Sequence, residues 1–556
     1  MSAGTSWPRE RVAFAALALL TLAPVVLQGL WRPLAGALHA EADSVLLAGA
    51  ALMIASAALI ASAASFVRPA RRWAPLVSAG LTALPLALAL GAGPPAIAAV
   101  AAALLGVAGF CGALAPWLLR RLPGELDGLA ARRKGVAVVM LVIGALTVTM
   151  TTRLAVFMGD ARHPELSLEP KIPFLVDHSC LTAYVQGARL ASDGAANIYD
   201  MDQWPHLRDT PQARANAVPY APFSLDAFAY PPPFLLLPRV LLTPLGEFAS
   251  QRALWFAVNA LCLAAGLWIV ATWLGGRAGL RALLLIPCIW IAQTTLATLQ
   301  VGNVHAMVVV AAMLALVAFE RRRPALGGAL LAFAVISKIS PGLLIVVLLI
   351  QRRYREVLWT AAWGLVFSLL GLAVFGVAPF VAFVSYELPR LSSGEALGFL
   401  TMPESIQINF APFGIPFRLA AAGVDIADPW AAARTINQVF TVALVVMTVV
   451  AARKGGGPRA QAEVWAALLT LASLRSPLAP GYVLLSLLWL FSMRAGEVRG
   501  YRGALVAVLL WVGVSIPVSG LGVAAASVAL CQQGLAIGVA GYFLLRRPPV
   551  EDDERG

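Results

Sequence analysis

The sequence predicts an all-α polytopic integral membrane protein of about 12 full spans plus two short helical hairpins, roughly 12–16 membrane helices, with an extracytoplasmic loop region. Three observations carry this. Of 556 residues, 60% are hydrophobic and 12% charged, against roughly 45–50% and 25% in an average soluble domain. So few charges cannot cover so much apolar surface in water. Apolar runs of about 20 residues, the length that crosses a hydrocarbon core, recur along the chain, with basic clusters between them. Together these exclude an ordinary soluble enzyme, a disordered chain and a disulfide scaffold. The net charge of +13 reads as basic cytoplasmic loops, with no nucleic-acid partner.

The runs fall at 11–30, 44–66, 73–91, 95–118 and 135–157. A polar stretch, 158–232, follows. Further runs are 253–273, 282–299, 303–319, 325–350, 357–385, 435–452, 464–493, 503–518 and 521–544. The first run has no A-x-A cleavage site and is expected to be retained as a span. Four regions result. They are an N-terminal additional bundle over 1–130, a core over 131–355, a C-terminal membrane region over 356–545 with a second outer loop at 386–434, and a cytoplasmic tail over 546–556. Cys111, Cys180, Cys262, Cys288 and Cys531 have no metal or redox spacing.

Basic residues orient the spans. Clusters stand at Arg68/Arg71/Arg72, Arg120/Arg121, Arg132/Arg133/Lys134, Arg277/Arg281, Arg321–Arg323, Arg352/Arg353/Arg355, Arg453/Lys454, Arg499/Arg502 and Arg546/Arg547. With all of them cytoplasmic, 27 of the 41 Lys and Arg lie inside, and the stretches 158–232 and 386–434 lie outside. Two runs conflict with single crossings. The run 325–350 has basic clusters at both ends and is broken by Lys338-Ile339-Ser340-Pro341. The run 464–493 is flanked by Arg453/Lys454 and Arg494/Arg499 and broken at Arg475-Ser476-Pro477-Leu478-Ala479-Pro480. Both read as hairpins whose apices sit at membrane depth in a protein-lined cavity, where irregular backbone is tolerated.

Ionisable residues at such depth are costly and usually functional. Asp177, after the apolar approach Pro173-Phe174-Leu175-Val176, fits a general base and equally a helix cap. Tyr230-Pro231-Pro232-Pro233 fits an interfacial elbow or a plain rigid turn. Lys338 fits a phosphate ligand, or a lysine snorkelling to the interface; Arg475 is its parallel on the second hairpin. In Gly302-Asn303-Val304-His305, Asn303 and His305 suit hydrogen bonds to a sugar or phosphate, or a polar helix start. All five histidines, His39, His163, His178, His206 and His305, face outside in this topology, and none has an i, i+4 metal spacing.

In order and spacing these pieces resemble the polyprenyl-phosphate-sugar-dependent membrane glycosyltransferases of glycosyltransferase family 87, of the GT-C fold class. The resemblance runs from about 174 to 355. It rests on Asp177, Tyr184, Ala188 and Ile198-Tyr199-Asp200; on Tyr230-Pro231-Pro232, Pro244-Leu245 and Trp255; on Gly302-Asn303-Val304-His305; and on Lys338-Ile339-Ser340-Pro341 with Arg352-Arg353. Asn303 and His305 stand where the family more usually has Gln and Asn. A later Ser-Pro-x-x-x-x-His element is here Ser476-Pro477-Leu478-Ala479-Pro480-Gly481-Tyr482, without the His.

The resemblance implies inverting transfer of one mannosyl- or arabinofuranosyl-type sugar from a polyprenyl-phosphate donor to a hydroxyl of a cell-envelope glycolipid or glycan. It implies catalysis at the extracytoplasmic face of a bacterial-type plasma (inner) membrane, and it assigns the base role to Asp177. A phosphate leaving group calls for cations where its charge develops; Lys338 and Arg475 are the candidates, then Arg239. His178, Tyr184, Tyr230, Asn303 and His305 are the expected substrate contacts. No cofactor and no metal site is expected, although outer acids such as Asp200, Asp202 and Glu404 leave room for a divalent cation. The rival reading is a lipid or solute transporter, since broken helices also build transporter sites. A non-catalytic scaffold is a third.

Overall fold

The computed structural model describes residues 134–454, 456–494, 500–516 and 524–546, with 21, 22, 25, 26, 28 and 29. The spans expected before residue 130, and the tail beyond 546, lie outside the described residues. The described chain is mainly helical and holds no strand, only the isolated bridges His178–Ser224 and Asn409–Pro480. Two compact units appear, one of residues 1–170 and 245–261, the other of 171–244 and 262–556.

The main helices are α1 (Lys134–Gly159), α2 (Leu181–Ser192), α3 (Phe248–Leu274), α4 (Gln293–Val301), α5 (His305–Glu320), α6 (Pro324–Ser337), α7 (Leu343–Ile350), α8 (Tyr354–Phe375), α9 (Pro429–Arg453), α10 (Pro458–Leu474), α11 (Leu485–Arg494), α12 (Gly500–Ser515) and α13 (Ala524–Leu545). Five are long and apolar enough to cross a bilayer: α1, α3, α8, α9 and α13, or six with α4 and α5 taken as one bent span. In the first unit, buried Arg252 on α3 donates to the Phe157 carbonyl of α1 at 2.6 Å and lies over the Phe157 ring.

One stretch differs from its expected single span. The apolar run 282–299 is divided among three short helices, Gly276–Leu284, Ile286–Ile291 and α4. Pro287 brings no N–H to the ladder and sits at a helix start, Ala292 is extended, and Gly302 adopts a left-handed conformation at φ 68°. These positions interrupt helix propagation. Across Gly302 the chain turns by 112° from α4 into α5.

Both broken runs are broken where the sequence indicates. Lys338 is extended, and Ser340–Gly342 forms one 3-10 turn before α7. The second break runs from Arg475 to the 3-10 turn Gly481–Leu484, with Pro477 and Pro480 unable to donate. Each run also returns to the end where it began. Arg353, after α7, pairs at 2.6 Å with Glu320, just before the turn into α6. Arg494, ending α11, pairs at 3.1 Å with Glu463 in the first turns of α10. The legs of the second hairpin pack on each other, with a 2.8 Å hydrogen bond between Thr470 and Ser486. The legs of the first share α8 but otherwise diverge: α6 packs along α5 and α8, and α7 on α9 and α8. Gly328 permits the α6–α8 approach, because a Cβ there would meet the Trp359 backbone at 2.6 Å.

The basic clusters gather at the shared end of these runs. Gln351, after α7, reaches Gln461 of α10, and Lys454, after α9, donates to the carbonyls that close α13. Arg459, Arg494 and Arg546 surround buried Glu463. In a background lacking the five native cysteines, Arg322→Cys and Arg352→Cys should react with an impermeant maleimide from the same side of sealed vesicles. Labelling from opposite sides would mean that the run between them crosses the membrane.

Candidate active site

The site is built in the second unit, at the apex end of the two broken runs. The segment 173–180 is fixed by backbone bonds. The Ser224 N–H donates to the Asp177 carbonyl at 2.8 Å, and the Cys180 N–H to the Val301 carbonyl at 2.8 Å. Gln300 donates to the Leu175 carbonyl. These bonds hold the segment against the end of α4 and against residues 224–226.

His178 follows from that anchoring. Its ring stacks on Phe174 at 4.3 Å, its Nδ1 lies 3.2 Å from Asp226 Oδ1, and its Nε2 lies 3.4 Å from Cys180 Sγ. Burial is the largest influence and disfavours the charged imidazole, but Asp226 and Cys180 together outweigh it and hold His178 well above its usual pKa. Asp226 is fixed in turn, its N–H donating to Thr182 Oγ1 at 3.1 Å.

Asn303 connects this group to the aromatic side chains of the site. Its Oδ1 accepts the His305 N–H at 3.0 Å and caps α5. Its Nδ2 lies 3.3 Å from Cys180 Sγ, 3.3 Å from Tyr230 OH and 3.0 Å from Tyr482 OH. Two amide hydrogens cannot serve three acceptors at once, so Asn303 chooses among them. Tyr184 is buried; its hydroxyl donates to Tyr230 OH at 3.0 Å and accepts the Val304 N–H at 3.2 Å. Tyr199 donates to the Tyr230 carbonyl at 2.8 Å, which fixes the turn into the proline elbow. His305 is buried at the start of α5, its ring 6.2 Å from that of Tyr482.

A cavity of 490 Å³ opens beside this network, lined by Tyr230, Pro231, Lys338, Ser340, Arg475 and Tyr482 among others. The structure therefore brings Lys338, Arg475 and Tyr230 together. Lys338 Nζ lies 5.7 Å from the centre of the Tyr482 ring. Arg475 is exposed at the cavity and donates to Thr441 at 3.3 Å. Among the described residues no carboxylate pairs with either cation. Leu343, Leu388, Leu391, Leu444 and Val445 give the cavity an apolar side.

Asp177 is not on that lining. It ends the short helix Pro173–Asp177 with its side chain exposed, and its carboxylate has no partner among the described residues. It therefore ends a helix and does not cap a helix start. Its neighbour His178 joins the hydrogen-bond network just described. Arg239 is half-buried on the short helix Leu236–Leu241, away from the cavity lining.

Four contributors carry no sequence signal of their own. Cys180 and Asp226 meet only through the fold. Asn409 is buried and clamps the second apex: Nδ2 donates to the Pro477 carbonyl at 2.8 Å, and Oδ1 accepts the Ala479 and Ala411 N–H groups at 2.9 Å each. Glu387, on a π-helical turn at Phe383–Glu387, pairs with Arg390 at 3.5 Å in a buried position one residue from cavity-lining Leu388.

This geometry accompanies a match to a known family. Residues 228–477 match the model of glycosyltransferase family 87. The match covers under half of the chain, and that region is similar to the family. The matched segment takes in the proline elbow, the turn at Gly302, the whole first hairpin and Arg475. The family implies a glycosyltransferase, and the apolar helices imply a lipid bilayer around it. No curated protein and no solved structure matches the chain.

The buried acid gives a prediction with a definite sign. Burial pushes the Glu387 carboxyl up to about 7, against the opposing pull of Arg390. A carboxyl raised on folding binds more protons in the native than in the unfolded state, so its contribution falls as pH rises from about 4.5 to about 7. The melting temperature of the wild type should carry a decline over that range that Glu387→Gln lacks. Parallel pH profiles for the two proteins would contradict the assignment.

Proposed function

We propose that the protein is an inverting integral-membrane glycosyltransferase that takes its sugar from a polyprenyl-phosphate donor. The observation that carries this reading is the cavity in which Lys338 and Arg475 meet without a carboxylate partner. Two cations in a largely apolar recess need an anion. A lipid-linked phosphate supplies one at membrane depth, and its sugar suits a recess of 490 Å³. The apolar side of the cavity suits the first part of the lipid chain. Sugar type is read as mannosyl or arabinofuranosyl and the acceptor as a cell-envelope glycolipid or glycan, both on the family resemblance alone.

In this mechanism the acceptor hydroxyl approaches from the solvent side. Asp177 lies off the cavity lining and holds the base role on the family resemblance alone; with no competing partner among the described residues, it would take the hydroxyl proton as the oxygen attacks the anomeric carbon. The new C–O bond forms as the bond from that carbon to the phosphate oxygen breaks. The polyprenyl phosphate leaves with its electron pair and its growing charge meets Lys338 and Arg475. Tyr230, on the cavity wall, would orient the sugar, with Asn303 bonded to it from behind; Tyr184, His178, His305 and Arg239 lie off the lining and keep their substrate roles on the family resemblance alone. The bacterial-type plasma membrane, with catalysis at the extracytoplasmic face, fits the collection of basic residues at the opposite end of the helices.

Two substitutions separate the roles. Asp177→Asn keeps size and polarity, and should lower kcat by roughly 10²-fold or more while leaving donor affinity unchanged. Near-normal turnover would remove Asp177 from the mechanism. Lys338→Met should weaken donor binding about tenfold or more, the scale of one lost charged hydrogen bond. Unchanged donor affinity would refute the phosphate role.

A further inference from the structure

We infer that His178, Cys180 and Asp226 form a binding site for one divalent transition-metal cation of the zinc class at the outer face of the second unit. One ring nitrogen, one sulfur and one carboxylate oxygen from these residues lie within 4.8 Å of one another. The two shorter separations use different ring nitrogens, Nδ1 at 3.2 Å from Asp226 and Nε2 at 3.4 Å from Cys180, so one imidazole nitrogen would carry the ion, with metal–ligand bonds of about 2.0–2.3 Å. A shared ion draws in the third ligand by a turn of the imidazole or of the Cys180 side chain, within the 4.8 Å span of the three donor atoms.

The donor chemistry selects the metal. Sulfur and imidazole together favour zinc and its neighbours over magnesium or calcium, which prefer oxygen alone. The arrangement is also prepared in advance. The imidazole is stacked on Phe174, the Cys180 backbone is bonded to Val301, and the Asp226 backbone to Thr182. Asn303 Nδ2, 3.3 Å from Cys180 Sγ, can donate to a thiolate and so support metal ligation from the outer shell. The His178 and Asp226 side chains are 19% and 18% exposed, which leaves an entry path and room for a fourth, solvent ligand.

The ion would tie two segments 46 residues apart in sequence, just before the proline elbow that delivers Tyr230 to the cavity. Its effect would reach Tyr230 and Tyr482 through Asn303. The site does not depend on the glycosyl-transfer reading and stands or falls on metal binding alone.

Titration of the purified, chelator-stripped full chain with Co²⁺ tests this. We expect saturation at about one ion per chain with a sulfur-to-cobalt charge-transfer band. The band should vanish in Cys180→Ser and persist in Cys262→Ser, Cys288→Ser and Cys531→Ser. A wild-type protein without the band, or a band that survives in Cys180→Ser, would overturn the site. A second measurement needs no cysteine variant. A chelator should lower the melting temperature of the wild type and leave that of His178→Ala unmoved. An equal shift in both would mean an adventitious ion only.

Discussion

Backbone that cannot stay helical in the middle of an apolar run is the constraint from which the rest of this structure follows. Lys338-Ile339-Ser340-Pro341 and the proline-rich stretch after Arg475 each interrupt a run that would otherwise cross as one helix. Polar backbone at such depth needs protein around it. The chain provides this by turning both runs back and bringing their apices together. The same turn delivers Lys338 and Arg475 to one cavity. Buried Asn409 supplies the bonds the second apex lacks, using both ends of its amide on the backbone of 477–479. The cost of leaving such groups unpaired is about 1–3 kcal/mol each, so Asn409 holds the shape of the cavity without lining it.

The loop between α1 and α3 is coupled to this arrangement through one side chain. Asn303 caps α5, faces Cys180 and reaches the hydroxyls of Tyr230 and Tyr482. Its three acceptors compete for two hydrogens. A ligand that captures Tyr230 or Tyr482 in the cavity therefore changes what Asn303 offers to Cys180. Conversely, an ion held by Cys180 alters the bonding available at the cavity wall. Loop and cavity are two parts of one hydrogen-bonded assembly.

Much of this was legible in the sequence, for identifiable reasons. Charge at both ends of a run favours an even number of passes, and a Lys beside a Pro marks where the helix breaks. That logic located both apices from residues alone. The splay of α6 and α7 was not legible, because it depends on which neighbours each leg finds. The division of 282–299 into three pieces was missed because its composition is apolar while the breaks come from Pro287 and from backbone conformation at Ala292 and Gly302. In the site, Lys338, Arg475 and Tyr230 share an expected cavity. Asp226 and Cys180 have no motif spacing, since a bridge between His178 and Ser224 aligns them. Asn409 and Glu387 act through burial and backbone contacts that no residue pattern announces.

The most direct measurement of the central claim is a donor panel. Purified protein is incubated with a series of polyprenyl-phosphate sugars and a mixed envelope glycolipid acceptor, and both products are identified. The account predicts that one donor is consumed, that free polyprenyl phosphate appears in equal amount, and that the new glycosidic bond has the opposite anomeric configuration. Movement of an intact donor or sugar across a vesicle membrane with no phosphate lipid released would contradict it, and would identify the cavity as a transport site.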